Sequence, residues 1–152
     1  MFSDVRRLSI FRELRKEHAG LLTPLIKDFS CQAGTLIFQQ GSAAILFYVI
    51  TRGRVEISYK PYDGNKITVT HVETGGLFGW SAVVGSRHYT SSATAIDAVD
   101  SIRVKGIELR AMCSEHPDAG KEILNCLANA AGSRWKDAHE QVKSILEHGF
   151  KK

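Results

Sequence analysis

The stretch GTLIFQQGSAAILFYVITRGRVEI, Gly34–Ile57, decides the fold. Three short apolar runs, TLIF, ILFYVIT and RVEI, are cut apart by Gln-Gln-Gly-Ser at Gln39–Ser42 and by Arg-Gly at Arg52–Gly53. β-branched and aromatic residues fill the runs, and glycine-bearing turns close them, so each reads as a strand. Working outward, RVEISYK alternates, with Val55, Ile57 and Tyr59 on one face and Glu56, Ser58 and Lys60 on the other. PYDGN is a turn, KITVTHV is another strand ending at Gly75-Gly76, and AVDSIRVK is a later one. Short strands at regular spacing predict a small antiparallel jelly roll or β-roll barrel over residues 30–105.

Helices flank it. Val5, Leu8, Phe11 and Leu14 recur every three residues behind Asp4, which predicts an N-terminal helix, and AGLLTPLIKDF predicts a second, with Pro24 as a kink or boundary. These make an N-terminal helical segment, 1–29. Over 106–152, IELRAMCSEH reads as a short helix, and Pro117 opens a long one running towards Glu147. Leu124, Ala131, Ala138 and Ile145 lie seven apart, interleaved with Ala128, Trp135 and Val142. That heptad seam predicts a homodimer through the C-terminal helix, with packing back onto the barrel as the alternative. The fold class is mainly β with flanking helices, in one domain.

Composition narrows the function. The 152 residues carry 43% apolar side chains and a net charge of +4, with no long basic block. Such a chain buries a core and offers no clustered basic face for nucleic acid. Cys31, Cys113 and Cys126 are odd in number and far apart, neither a disulfide framework nor a zinc site. The start MFSDVRRLSIFREL lacks the apolar run of a signal peptide, and no stretch approaches the ~20 apolar residues of a membrane span, so the expected location is cytoplasmic.

The order of helices, barrel and helices resembles the cyclic-nucleotide-binding domain, the sensor module of catabolite activator protein and its relatives, from about Phe11 to about Ala138. FYVITRGRVEI is similar to the family's run of Leu-Tyr, four residues, Gly, then two alternating valines. The resemblance implies a phosphate cassette over Leu77–Asp97, LFGWSAVVGSRHYTSSATAID. In the family, Phe-Gly-Glu leads into a short helix, and Arg-Ser/Thr-Ala follows on the next strand. Helix-start amides and the arginine hold the phosphate, and the glutamate accepts from the ribose 2′-hydroxyl. Phe78 and Gly79 match, but Trp80 stands at the glutamate's place. Ser92, Ala93 and Thr94 match the later positions, but Ser91 stands at the arginine's.

The frame of such a site remains. The amides around Trp80, Ser81 and Ala82 are a candidate anion-binding turn, and Ser91 and Ser92 bring hydroxyls. Indole N–H only donates, so Trp80 cannot replace the glutamate. Hydrogen bonds to charged groups contribute about 1.5–3 kcal/mol each, so losing two weakens a cyclic nucleotide by roughly a hundredfold to more than ten-thousandfold. Arg87 could compensate only if its loop folds inward, since four residues of strand is about 13 Å. In relatives the long helix covers the base, which on this spacing places Arg134 near the ligand. Trp80 either plugs the pocket or stacks on a planar ligand.

Two functional expectations follow. One is a regulatory module sensing a small anionic or cyclic-nucleotide-like ligand, and not cAMP at normal affinity. The other is a ligand-free dimerisation or adaptor module on the same scaffold. No cofactor is implied with certainty. A chain ending in HGFKK leaves no room for a helix-turn-helix domain, so the expectation is a protein partner rather than direct DNA contact. An enzyme of the cupin type, another small barrel, would need paired histidines on strands, and beyond His71 and Glu73 the sequence has none. The chain is therefore expected not to be an enzyme.

Overall fold

A computed structural model describes residues 5–61, 63–131 and 147. Eight strands form two antiparallel sheets of four. The first runs β1 (Lys27–Cys31), β8 (Val99–Lys105), β3 (Leu46–Arg52) and β6 (Leu77–Phe78). The second runs β2 (Leu36–Phe38), β7 (Ser92–Ala95), β4 (Val55–Tyr59) and β5 (Ile67–Val72). Among the described residues the α-helices α1 (Lys16–Leu22), α2 (Trp80–Val84), α3 (Gly106–Glu115) and α4 (Pro117–Asn129) join them.

The first sheet is covered on both faces, which is why ILFYVIT does not alternate. Tyr48 and Ile50 point towards the second sheet and pack with Val55, Ile57, Ala93 and Ala95. Phe47 and Val49 point the other way, into a core shared with Leu109, Ile123, Leu124 and Leu127 from the helices. Period-two geometry divides one apolar run between two cores.

Four expectations need correction. Residues 5–14 form no α-helix but two 3-10 turns, Val5–Arg7 and Ser9–Phe11. An exact spacing of three is the 3-10 period, and it still buries Leu8, Phe11 and Leu14. The second predicted helix ends early. Its Pro24 sits in a 3-10 turn, Thr23–Leu25, after which Ile26 is extended and Lys27–Phe29 pair with β8. In β4 the alternation fails beyond Ile57, where Ser58 is buried and Tyr59 exposed, opposite a register shift that leaves Val69 of β5 as the extra residue. The bulged strand is β5, while β4 keeps a regular register with β7 through Ser58.

The fourth correction concerns the long helix. α4 stops at Asn129, and Ala130 and Ala131 form a turn. The Ala130 carbonyl accepts from the Leu77 N–H at 3.1 Å, so a sheet donor satisfies a group the helix would otherwise extend through. The seam's first members, Leu124 and Ala128, are buried in the chain's own core. Trp135, Ala138, Val142 and Ile145 lie outside the described residues.

Candidate functional site: the cassette cavity

The cassette-like loop is built on a glycine. Gly79 follows β6 with φ of +85°, a left-handed conformation that L side chains resist. A Cβ there would also lie 2.8 Å from the Leu46 carbonyl oxygen and 3.0 Å from Phe47 Cα. α2 then makes its first bond from the Ala82 N–H to the Gly79 carbonyl, at 3.0 Å. The helix closes at Gly85, φ +85°, where the N–H groups of Gly85 and Ser86 both donate to the Ser81 carbonyl.

Three supports hold this turn. From behind, α3 starts at Gly106, whose Cβ would meet the Ala82 carbonyl oxygen at 2.0 Å, and the Arg110 guanidinium donates to that same oxygen. From the loop before β7, the Tyr89 hydroxyl donates to the Leu46 carbonyl and accepts from the Leu46 N–H at 3.1 Å. Burial pushes this phenol up to about 12, so it stays protonated and donating. From the helical side comes the Leu77 to Ala130 bond already described.

A cavity of about 230 Å³ opens between α2, the loop after it and the second sheet. Its walls are Phe38, Ile57, Val72, Leu77, Phe78, Trp80 and Val84, with hydroxyls from Thr70, Ser81, Ser86, Thr90 and Ser91. Tyr89 and Ala131 complete the rim. No Lys, Arg, His, Asp or Glu lines it among the described residues. Trp80 packs against the helical core and still leaves the cavity open beside it.

Of the residues singled out in sequence, Phe78, Gly79, Trp80, Ser81 and Ser91 line this cavity. Ala82 and Ala93 are wholly buried behind its walls and do not line it. The Ala82 amide is already committed to Gly79, so it is not open to an anion. Ser92, the first residue of β7, does not line this cavity, and its hydroxyl accepts from the Gln40 N–H at 2.8 Å. Arg87 is exposed and outside the lining, and its carbonyl accepts from the Ala44 N–H. Arg134 lies outside the described residues.

Sequence reasoning missed Phe38, Thr70, Val72, Tyr89 and Thr90. Thr70 and Val72 share a face in ITVTHV, so the alternation carried that signal. Phe38 and Tyr89 come together only through packing, ring on ring at 3.6 Å between centroids. Among the described residues, no cluster of three or more His, Cys, Asp or Glu could hold a metal, and no helix is long and apolar enough to cross a membrane.

Comparison with known proteins agrees with this architecture. The chain is 25% identical over 122 residues to the CRP-like cAMP-activated global transcriptional regulator of Mycobacterium tuberculosis, covering 80% of this chain and 54% of that protein. Only about half of that regulator's length is therefore represented. A Geobacter metallireducens GS-15 protein assigned to cyclic nucleotide binding has a solved structure that is 29% identical, with a TM-score of 0.76 over 88% of this chain and 98% of its own. The regulatory subunit of a cAMP-independent protein kinase A from Trypanosoma brucei shares the fold alone, at 14% identity and a TM-score of 0.67 over 91% of this chain and 48% of its own. The family model for the cyclic nucleotide-binding domain matches residues 29–116, from β1 to the end of α3. That family is one of regulatory binding domains rather than catalysts. On the order of its strands, its glycine-built cassette turn and this match, the chain belongs to the cyclic nucleotide-binding domain family.

Proposed function

We propose that this chain is a regulatory module sensing a small anionic or nucleotide-like ligand in the cassette cavity, and that cAMP does not bind there at the family's affinity. One observation carries the reading. The cavity stays open at about 230 Å³, while the family's glutamate and arginine positions hold Trp80 and Ser91. Binding would be transmitted through Ala131, which lines the cavity, and Ala130, which is bonded to the first residue of β6. A ligand that prefers one arrangement of this turn shifts the segment after α4, and with it a homodimer contact or a partner-protein surface. The adaptor reading has one observation in its favour, the packing of Trp80 against the helical core.

Thermal unfolding against cAMP, cGMP, cyclic dinucleotides, AMP and simple anions separates the two. Ligand at a hundred times its dissociation constant adds ~2.7 kcal/mol, several degrees for a domain of this size. A shift with one compound supports the sensor; a flat panel supports the adaptor. The double variant Trp80→Glu with Ser91→Arg is expected to gain cAMP affinity by about a hundredfold or more. No gain means the pocket cannot take the nucleotide even with its charges restored. A variant of the Trypanosoma brucei neighbour in which three residues are exchanged, one of them threonine to arginine, is bound to cAMP in its A site.

A further inference from the structure

We propose that this chain carries a second binding site, apart from the cassette cavity, that takes a small phosphate monoester. A cavity of about 450 Å³ lies over the second sheet, between the end of β2, β7 and the β4–β5 hairpin. Among the described residues it shares no lining residue with the cassette cavity: Ile57 lines one and its neighbour Ser58 the other, as do Ser91 and Ser92.

Hydroxyls form its floor. Ser58 of β4 and Ser92 of β7 are register partners, and Thr94 follows two residues along β7, on the same face as Ser92. Ser58 carries the argument. The residue is 3% exposed, and its hydroxyl has no hydrogen-bond partner among the described residues. A buried polar group without a partner is costly. No partnerless side-chain oxygen or nitrogen among the described residues is sealed from solvent, so the Ser58 hydroxyl opens into the cavity it lines. Gln40 fixes the frame around it. Its N–H donates to Ser92 Oγ at 2.8 Å, which leaves the proton of that hydroxyl to donate to a ligand. Its side-chain amide binds the main chain of Lys60 in both senses, Nε2 donating to the carbonyl at 2.9 Å and Oε1 accepting from the N–H at 2.8 Å.

The charge on this frame is positive. Lys60 and Lys66 both line the cavity. Glu56 accepts from Lys66 Nζ at 3.1 Å and from Thr68 Oγ1 at 2.9 Å, which sets where the Lys66 ammonium stands. Lys60 makes no ion pair among the described residues and brings the uncompensated charge. Ammoniums and hydroxyls are donors, and a phosphate monoester offers them three acceptor oxygens and up to two charges, where a carboxylate offers two oxygens and one. Leu36, 54% exposed, and Pro61 supply an apolar wall for the ester group. The volume lies within the roughly 300–1,000 Å³ of small-molecule sites, more than a bare ion fills.

The test is a titration of the full chain followed by two-dimensional amide NMR. The probes are phenyl phosphate, inorganic phosphate and benzoate. Phenyl phosphate is expected to give saturable shifts at the amides of Gln40, Ser58, Lys60 and Ser92. It should bind at least about fivefold tighter than benzoate and weaken severalfold as salt rises from about 0.05 to 0.5 M. Ser58→Ala and Lys60→Met should each weaken it by about fivefold or more. Thr94→Val should do the same, and it serves should Ser58→Ala fail to fold. Saturable shifts confined to Gly79–Ala82 overturn the inference and put the anion in the cassette cavity. Shifts that never saturate, or equal binding by wild type and the hydroxyl variants, overturn it by reducing the site to surface lysines. Benzoate binding tightest overturns the choice of a phosphate. The cassette panel above reads a different set of residues, so a flat result there leaves this site standing.

Discussion

At the scale of single residues, the site is a glycine surrounded by substitutions. Gly79 turns the chain into α2 at φ +85°, and on the proposed reading Trp80 and Ser91 stand where the family's charged contacts would be. Two glycines of similar φ separate strain from crowding. Gly41, at φ +88°, has open space where a Cβ would go, whereas Gly79 faces the Leu46 carbonyl at 2.8 Å. Gly41→Ala is expected to cost about 1–2 kcal/mol, the left-handed penalty alone, and Gly79→Ala clearly more. Denaturant titration of the two variants checks this, and equal losses would refute the close approach. The matching of Phe78 and Gly79 was legible in sequence because the turn needs those residue types locally. The inward placing of Ser91 and the outward placing of Ser92 were not, since they depend on how β7 sits between β2 and β4.

At the scale of elements, α1 is tied to α4 by one carboxylate. Glu122 accepts from the Arg15 N–H at 2.9 Å and lies 2.9 Å from His18 Nδ1. The Arg15 bond, followed by His18, holds the carboxyl below its ordinary value of 4.5. A depressed carboxylate stabilises the fold above its unfolded value, and that contribution is lost as pH falls through the lower folded value. The tie should therefore be complete at neutral pH and fail below about pH 4.5. Thermal melts of wild type and Glu122→Gln across the acid range are the measurement. The variant should be less stable near pH 7 and lose less on acidification; parallel curves would show that the carboxylate makes no net contribution. This contact spans more than a hundred residues and left no trace in local pattern. The same holds for the bulge at Val69 of β5, opposite the point where the alternation of β4 fails.

At the scale of the whole molecule, the heptad seam is divided between the chain's own core and its later members. Leu124 and Ala128, the start of the heptad seam, are spent on the chain's own core. A dimer through the seam therefore has to rest on its later members. On the proposed dimer, Ile145→Asp is expected to shift the chain towards monomer in sedimentation equilibrium with its melting temperature little changed. A wild type already monomeric at high concentration, or a variant that stays dimeric, would remove this seam as the interface.

By itself the sequence determined the class of fold, because strand period, turn glycines and helix-opening prolines are local properties read over a few residues. It also determined that a tryptophan follows Phe78-Gly79 and that Ser91-Ser92 precede Ala93, because identity at a position is local. The tertiary structure alone decided that the pocket stays open beside Trp80, which hydroxyls meet inside it, and that α4 ends where Leu77 takes its carbonyl. Those outcomes depend on residues distant in the chain competing for the same space and the same hydrogen bonds, and no local pattern records who wins.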